Sequence, residues 1–357
     1  MIAVVGNAWL VDDASMNRRA FLHTTAAVTA TWPALAADAR RVRIGFLGCS
    51  HSPGLPKVKL ALNSPDWECV GVFEADAKHR AAAEKLGAKV LSTEQVLAAS
   101  EVIAIECDAK DRHRLAKLAL QAGRHVHIEK PPTVTLAEFR ELLALAREKR
   151  VLMQMGYMWR FNPGINAALE AARQGWLGDV YFARGVINTN LNTESRRSFG
   201  EIAGGTMYEL GCHLVDPLVR LFGKHAKITP VLRHDAKDAD QLADNCVAVF
   251  DFKRAVAVVS SATMQPTAGA HRTFELQGTN GIAVVKPLEQ PVLSVDLAKE
   301  AGPYKKGSQV INFPPYQRYG PEFAELAACV RSGKPLAVTP EEDELVHEAL
   351  LKASGMH

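Results

Sequence analysis

The sequence predicts an α/β protein of two domains: a doubly wound parallel sheet in the N-terminal half, then an α+β domain with a mainly antiparallel open sheet. Three observations predict this fold. From Arg41 onward, short apolar runs alternate with helical stretches, which is typical of parallel strands joined by crossover helices. After about Gly156, several short strands with alternating patterns follow one another, which is typical of an antiparallel sheet. The length of 357 residues, 48% of them hydrophobic, suits two domains with a core each.

The N-terminal half contains five apolar runs of strand length with helical stretches between them. Gly87 and Gly123 stand where the C-terminal caps of two helices belong. The last helical stretch groups Leu142, Leu143 and Ala146 on one side, as an amphipathic helix requires. We expect strands at residues 42–47, 70–73, 102–105, 125–128 and 151–155, and helices at residues 77–86, 112–122 and 136–149.

The C-terminal half has a different order of elements. Asn280-Gly281 is a strong hairpin signal between two strand patterns. An antiparallel sheet of this kind needs helices over one of its faces. The predicted domains are residues 41–156 and 157–357, with the last helices packing back on the first domain. We expect helices at residues 164–173 and 206–222, and strands at residues 180–187, 247–252, 255–261, 273–277 and 282–285.

An export signal is predicted ahead of the first strand. Arg18-Arg19 and Phe21-Leu22 are followed by a mild Ala/Thr run and by the small-x-small site Ala34-Leu35-Ala36. This order resembles a twin-arginine signal, which a receptor reads as an address. We therefore expect residues 1–36 to be upstream residues and signal peptide, and the mature protein to be periplasmic. The alternative is an amphipathic first helix with two chance arginines, in which case the protein is cytoplasmic.

Composition excludes several classes of function. There are 42 Lys and Arg against 39 Asp and Glu, a formal net charge of +3, and no long run of like charges, which argues against a nucleic-acid-binding surface. No stretch reaches 18 uninterrupted apolar residues, so no membrane span is expected. The six cysteines are scattered and do not form a Cys/His cluster at zinc spacing, so no metal site is expected.

The loop after the first strand is a candidate dinucleotide-binding loop. It keeps Gly48 at the turn and Gly54 at the far end, with Ser50 at the middle position where a third glycine would complete the Rossmann fingerprint. Its backbone N–H groups, with His51 among them, would approach a pyrophosphate at a helix N-terminus. Glu74 follows the second strand, where a carboxylate accepts hydrogen bonds from a ribose 2′-hydroxyl, which favours NAD over NADP. A helix-capping turn with a solvated glutamate is the alternative.

Motifs further along the chain carry a family resemblance. Residues 125–132 read His-Val-His-Ile-Glu-Lys-Pro-Pro after the helix end Ala119 to Gly123, and residues 204–213 read Gly-Gly-Thr-Met-Tyr-Glu-Leu-Gly-Cys-His. With the hairpin at 274–285 and the closing helices at 319–354, the chain resembles the Gfo/Idh/MocA family of sugar and polyol oxidoreductases. The resemblance implies that Glu129 and Lys130 lie at the cofactor. It also implies that the Lys130–Pro131 bond is cis.

Three residues are candidates for the chemistry. Hydride transfer at a carbinol carbon needs a group that moves the hydroxyl proton and a cation or donor that stabilises the oxygen. Lys130 follows a parallel strand, at the edge where such sheets bind ligands. Glu209 and His213 are four apart on a predicted helix, hence on one face, and the carboxylate would orient the imidazole or take the proton itself. The resemblance implies the same roles for Lys130 and His213. An exposed ion pair and an ordinary loop lysine are the alternatives.

The segment after the fifth strand offers candidate substrate contacts. Tyr157, Arg160 and Asn162 bring an aromatic ring and hydrogen-bonding groups to the predicted domain junction. A packed interdomain hinge is the alternative.

The expected function is an NAD(P)-dependent oxidoreductase of the CH–OH group acting on a sugar, polyol or related carbinol. A second hypothesis is a redox-neutral sugar-converting enzyme, such as an epimerase, oxidative glycosidase or sugar-coupled oxidoreductase, that retains its cofactor. A third is a nucleotide-binding sensor without turnover. The resemblance also implies a homo-oligomer, a dimer or a tetramer.

Overall fold

The computed structural model describes residues 40–356. The predicted export signal at residues 1–36 lies outside the described residues and stays a prediction. Within the described range no helix combines the length and the apolar character that crossing a bilayer requires.

The first half folds around a five-stranded parallel sheet. Its strand order is 2-1-3-4-5 along the chain numbering, and every neighbouring pair is parallel. The order reverses at the first strand, which leaves a crevice at the carboxyl edge of the first and third strands where open α/β sheets bind ligands. The strands are β1 (Val42–Leu47), β2 (Trp67–Phe73), β3 (Val102–Ile105), β4 (His125–Ile128) and β5 (Met153–Met155).

Five helices connect the strands of this sheet. Predicted and observed bounds agree residue for residue at 42–47, 102–105, 125–128 and 136–149. The helix Thr93–Ala99 was not predicted; it is short and begins with a capping box in which the Ser92 hydroxyl accepts from the Gln95 N–H. The helices are α1 (Gly54–Asn63), α2 (Ala77–Lys85), α3 (Thr93–Ala99), α4 (Ala109–Gln121) and α5 (Leu136–Lys149).

The second half contains an eight-stranded sheet that is antiparallel except for one pair. The strand order is 13-12-11-10-6-9-8-7, and only the sixth and ninth strands pair in parallel. The turn at residues 278–281 joins two antiparallel strands with Phe274 opposite Val285, which confirms the predicted hairpin. The strands are β6 (Val180–Val186), β7 (His225–Arg233), β8 (Asn245–Phe252), β9 (Ala255–Ala262), β10 (Thr273–Gly278), β11 (Gly281–Val285), β12 (Val292–Leu297) and β13 (Gly307–Asn312).

Helices cover one face of this second sheet. The predicted helix at 206–222 is two pieces in the structure: a π-helical turn, Met207–Gly211, followed directly by an α-helix from Cys212. The fold class predicted from the sequence is therefore confirmed, with a parallel dinucleotide-type sheet and a mainly antiparallel second sheet. The helices are α6 (Pro163–Arg173), α7 (Thr193–Gly200), α8 (Cys212–Phe222), α9 (Gly320–Ser332) and α10 (Pro340–Ala353).

The two last helices contact elements of both halves. Helix α9 packs on β1, and its Phe323 meets Trp67 of β2 edge to face with ring centroids 5.8 Å apart. Helix α10 contacts α5 from the first half and α8 and β7 from the second. The C-terminal segment therefore links the parallel sheet to the antiparallel one.

The outer face of the second sheet carries exposed apolar side chains. Val249 is 39% exposed, Val256 43% and Val310 63%, each on a different strand. The predicted homo-oligomer concerns a second chain and stays a prediction.

Candidate active site

The loop between β1 and α1 approaches neighbouring backbone closely at both of its glycines. Gly48 has φ +87°, and a Cβ placed there would lie 2.6 Å from the Cβ of Cys107. A Cβ on Gly54, the first residue of α1, would lie 2.7 Å from the carbonyl oxygen of Cys49. Ser50 occupies the middle position, with its Oγ 3.4 Å from Asp108 Oδ1. Both glycines are thus required by space, and the loop presents the N-terminus of α1 at the crevice.

Glu74 lies one residue beyond β2 and contacts this loop. Its Oε2 accepts from the backbone N–H of Cys49 at 2.7 Å, and its Oε1 accepts from that of Asp76 at 2.9 Å. The side chain is buried, with a relative exposure of 7%. The carboxylate therefore lies against the candidate dinucleotide loop, and its contact with a ribose stays a prediction.

A cleft of about 210 Å³ opens where the loop, the end of β4 and the second sheet meet. Predicted site residues from distant parts of the sequence line it together: His51, Glu129, Lys130 and His213. Burial, followed by the positive charges of Arg112 and Lys130, lowers the pKa of His51 well below its ordinary value. The cleft therefore gathers residues predicted separately for cofactor binding and for chemistry.

Lys130 is buried just after β4, and its ammonium group contacts Glu209 on the π-helical turn. Nζ donates to the carbonyl oxygen of Glu209 at 2.8 Å and lies 3.5 Å from Glu209 Oε2. The Lys130–Pro131 bond is cis. Burial acts against the charge, but the anionic forms of Cys212, Glu209 and Glu129 outweigh it and raise the pKa of Lys130. Lys130 is therefore an ammonium at neutral pH.

Arg112 fixes the turn that carries Lys130. This residue of α4 is fully buried, and its Nη1 donates to the carbonyl oxygens of Lys130 at 2.9 Å and Pro131 at 2.8 Å. Its Nε donates to the carbonyl oxygen of Cys107 at 3.2 Å. Three backbone acceptors from two chain segments are thus held by one guanidinium.

His213 lies on α8 against two aromatic rings. Its imidazole centroid is 5.1 Å from the Trp159 ring and 6.3 Å from the Tyr157 ring. Burial, followed by the charges of Lys130, Arg272 and Arg318, lowers the pKa of His213 well below its ordinary value. The imidazole is therefore neutral at pH 7, which makes it a proton acceptor.

The predicted pairing of Glu209 with His213 is corrected by the structure. Among residues 40–356, no hydrogen bond joins the two side chains, and the carboxylate lies at Lys130 instead. The competing partner is Lys130, whose Nζ lies 3.5 Å from Glu209 Oε2 and donates to the Glu209 carbonyl oxygen on the π-helical turn Met207–Gly211.

Tyr157, Arg160 and Asn162 do not line the cleft. Arg160 is ion-paired in the interior with Asp216 at 2.7 Å and Asp343 at 2.5 Å. The side chains of Tyr157 and Asn162 are also buried in the protein interior. Asn162 is fully buried and caps α6 by accepting from the Ile165 N–H, and Tyr157 is 2% exposed. These positions lie in the packed interior, where the Tyr157 hydroxyl has no hydrogen-bond partner among the described residues, and their contact with a substrate stays a prediction.

A buried ionic cluster, absent from the sequence predictions, lies beneath the cleft and is centred on Lys57. Its Nζ is 3.0 Å from Glu106 Oε1, 2.8 Å from His127 Nε2 and 2.5 Å from Glu129 Oε2. Glu322 of α9 adds an oxygen at 3.8 Å. Glu106, His127 and Glu129 have the ligand types and spacing of a metal site, but the Lys57 ammonium occupies their centre.

The only sequence signal for this cluster is a lysine on the buried face of α1, next to Val58. Such a pattern usually marks the stem of an exposed lysine. The cleft also contains Arg272, Glu289 and Arg318, which come from three separate segments and share no local motif. These residues are found only once the chain is folded.

A glycine-bounded loop at the switch point of a parallel sheet, with an ammonium and a neutral imidazole beside it, defines a dinucleotide-dependent enzyme class. Two family models match the chain: the oxidoreductase family with an NAD-binding Rossmann fold over residues 42–157, and the GFO/IDH/MocA C-terminal domain over residues 165–284. The chain belongs to the Gfo/Idh/MocA family of oxidoreductases, and its first domain is an NAD-binding Rossmann domain.

Among curated proteins, the chain is similar to trans-1,2-dihydrobenzene-1,2-diol dehydrogenase of Mus musculus. The two are 31% identical over 242 residues, which is 66% of this chain and 71% of the mouse protein. The bovine protein of the same name matches over 51% of its length, so the alignment there spans about half of the relative. An uncharacterized oxidoreductase of Escherichia coli, YhhX, is 29% identical over 193 residues, 51% of this chain and 54% of that protein.

Solved structures share the fold. Levoglucosan dehydrogenase in complex with NADH and levoglucosan matches with a TM-score of 0.76 at 18% identity, covering 88% of this chain and 98% of that one. The UDP-N-acetylglucosamine 3-dehydrogenase GnnA from Acidithiobacillus ferrooxidans matches with a TM-score of 0.74 at 20% identity, covering 88% and 97%.

Proposed function

We propose that the protein is an NAD-dependent dehydrogenase that oxidises a CH–OH group of a sugar, a polyol or a related carbinol. The observation that carries the proposal is one cleft, next to the glycine-bounded loop, that contains both the Lys130 ammonium and the neutral His213. The family supports an oxidoreductase, and the names of similar proteins include dehydrogenases of levoglucosan and of a dihydrodiol.

The residues around the crevice fit a dinucleotide. Gly48 and Gly54 leave space that a Cβ would fill, and the N-terminus of α1, with the positive end of its helix dipole, lies at the same place. Ser50, His51 and Glu74 would line the nucleotide, with Glu129 and Lys130 at the nicotinamide end. When bound, the nicotinamide supplies the hydride acceptor.

The two titratable groups divide the proton chemistry. His213, which burial and the nearby cations keep unprotonated at pH 7, is the proposed acceptor of the hydroxyl proton. The Lys130 ammonium donates a hydrogen bond to the same oxygen as negative charge develops on it. Glu209 positions Lys130, through its carbonyl oxygen and the carboxylate 3.5 Å from Nζ.

Substitutions of both groups test the proposal. Lys130→Met and His213→Asn should each lower kcat for NAD-linked oxidation by about 10²–10⁴-fold. A fluorescence titration of NADH affinity shows whether a loss of activity comes from the chemical step or from weaker cofactor binding. Lys59→Met removes an exposed lysine of α1 and is the matched control. Full activity of Lys130→Met would rule out the assigned chemistry.

Cofactor choice rests on Glu74. A carboxylate at the end of β2 repels a 2′-phosphate, so NAD is the proposed cofactor and NADP the weaker one. Glu74→Ser should reduce the ratio of kcat/KM for NAD to that for NADP. An unchanged ratio would remove the basis for this preference.

Periplasmic location through the twin-arginine route is also proposed, on the residues 18–36 pattern alone. Fractionation of cells that express the chain from Met16, with and without Arg18→Lys and Arg19→Lys, tests it. Loss of the periplasmic protein in the double variant supports the proposal, and a cytoplasmic protein in both cases contradicts it. Nucleotide released on denaturation would separate a retained-cofactor cycle from ordinary dehydrogenation.

A further inference from the structure

The cleft wall carries two arginines joined by one glutamate. Arg272 precedes β10, Glu289 lies in the connection from β11 to β12, and Arg318 lies just ahead of α9. Arg272 Nη1 donates to Glu289 Oε1 at 2.7 Å, and Arg318 Nε donates to Glu289 Oε2 at 2.9 Å. All three line the same cleft as Lys130 and His213.

The charges of this group do not cancel. One carboxylate lies between two guanidinium groups, which leaves a positive charge of one at the cleft wall. The two guanidiniums also carry ten N–H donors between them, more than one carboxylate can accept. The Arg272 hydrogen bonds engage Nε, which donates to Asn188, and Nη1. Its Nη2 donates no hydrogen bond within residues 40–356.

The positive charge of the two arginines acts on His213. Arg272 and Arg318 both contribute to the lowered pKa of His213, after burial and Lys130. The guanidiniums are only partly buried: the side chain of Arg272 is 18% exposed and that of Arg318 is 41% exposed. A ligand in the cleft can therefore reach them without displacing the protein core.

The turn that presents Arg318 is held in a strained conformation. Tyr319 has φ +67°, a left-handed value that costs a bulky residue free energy unless its surroundings hold it. The Lys57 ammonium lies 5.3 Å from the centroid of its ring. Nearby, the Tyr316 hydroxyl donates to the carbonyl oxygen of Met158 at 2.5 Å. Contacts on both sides thus fix Arg318 at the cleft rather than leaving it free in solvent.

We propose that Arg272 and Arg318 form a subsite for an anionic group, a carboxylate or a phosphate, on the substrate whose CH–OH group lies at Lys130 and His213. Guanidinium groups match the planar or tetrahedral oxygens of these anions with paired hydrogen bonds. Glu289 keeps the two cations together and oriented when no anion is bound. This inference rests on the proposed dehydrogenase function.

Binding to the NADH-loaded protein tests the subsite without requiring turnover. The probes are glucose, galactose and mannose, each with its uronate and its 6-phosphate, measured by calorimetry. We expect at least one anionic form to bind about tenfold to a hundredfold more tightly than its neutral sugar. A uronate that does so identifies a carboxylate substrate, and a 6-phosphate identifies a phosphate substrate.

Variants then assign that preference to residues. Arg318→Gln and Arg272→Gln should each reduce or remove the preference for the anion while leaving the affinity for the neutral sugar within about threefold. Arg184→Gln, which removes a 52% exposed arginine on β6, should retain it. The inference is overturned if no anionic form binds better than its neutral sugar, or if the preference survives in both variants.

Turnover separates this inference from the proposed function. NADH production from neutral sugars without any preference for acids overturns the anion subsite and leaves the dehydrogenase in place. Tight anion binding that depends on Arg318, with no NADH formed from any probe or from a wider panel of polyols, overturns the dehydrogenase and leaves the subsite.

Discussion

Lys57→Met removes a buried cation and leaves its acidic partners behind. Lys57 is fully buried, and Glu106, Glu129 and Glu322 around it are at most 2% exposed. Burial opposes the charge of Lys57, but the three carboxylates outweigh it and raise its pKa, so the lysine stays charged. Methionine keeps much of the side-chain volume, so the change is mainly the loss of charge and hydrogen bonds.

The expected loss of unfolding free energy depends on how many buried acidic groups are left without a cation. Removing one partner of a buried ion pair typically destabilises a protein by about 3–5 kcal/mol. Here the lost cation leaves three buried acidic side chains, two of which can hold a proton because their pKa values are raised, so we expect a loss within that range near pH 7, against a total stability of about 5–15 kcal/mol. Burial, partly offset by Lys57, already raises the pKa of Glu322 to about 8. Burial likewise raises the pKa of Glu106.

The destabilisation caused by Lys57→Met should increase with pH. A carboxyl group whose pKa is raised by folding adds stability below its unfolded value near 4.5, and loses it as pH rises through the folded value. Without Lys57 the folded pKa values rise further, so the variant must retain more protons than the unfolded chain. Each extra retained proton steepens the fall in stability by about 1.4 kcal/mol per pH unit. The difference between variant and wild type should therefore be larger at pH 8 than at pH 6.

Urea unfolding at pH 6 and pH 8, followed by circular dichroism, measures this difference. Lys59→Met, two residues away on the exposed face of α1, is the matched control and should change stability by less than about 0.5 kcal/mol. Equal stability of the two variants, or a larger loss at pH 6 than at pH 8, would refute the ionic account of the cluster.

Two further substitutions test the loop and the hinge. Gly48→Ala should weaken NADH binding at least tenfold in a fluorescence titration, because both its φ and the close Cys107 oppose a side chain. Gly87→Ala, at φ +92° with open space around it, should leave the affinity unchanged, and equal effects of the two would contradict the loop's role. Arg160→Leu should cost about 3–5 kcal/mol in urea unfolding, since it strands the buried Asp216 and Asp343; a loss below about 1 kcal/mol would show that the pair is dispensable.

Sequence patterns were sufficient to predict an element's bounds where its apolar residues form a clear run between turn signals. The strands at 42–47, 102–105 and 125–128 are short apolar runs between turn signals, and their bounds were predicted correctly. The strands β7, β12 and β13 were missed. In β7 and β13 exposed positions alternate with partly buried ones, so the apolar signal of a core strand is weak. Their pairing depends on neighbours that are distant in sequence.

The predicted helix at 206–222 shows a second limit. Its apolar pattern is continuous, but the chain enters through Gly205, where a Cβ would lie 2.2 Å from the carbonyl oxygen of Ala243. The π-helical turn that follows is held in this confined position and carries Glu209 to Lys130. Periodicity alone favours a regular α-helix, because it contains no information about that distant carbonyl.

The fold class, a candidate dinucleotide loop and the candidacy of Lys130 and His213 could be inferred from the sequence alone, because each depends on residues that lie close together along the chain. The surroundings of these residues became known only from the folded chain. The tertiary structure buried Lys57 among three carboxylates, turned Arg160 into an interior ion pair, and brought Arg272, Glu289 and Arg318 to one wall of the cleft. The physical reason is that burial and charge compensation are set by groups tens to hundreds of residues apart, and no local pattern specifies which of them will meet.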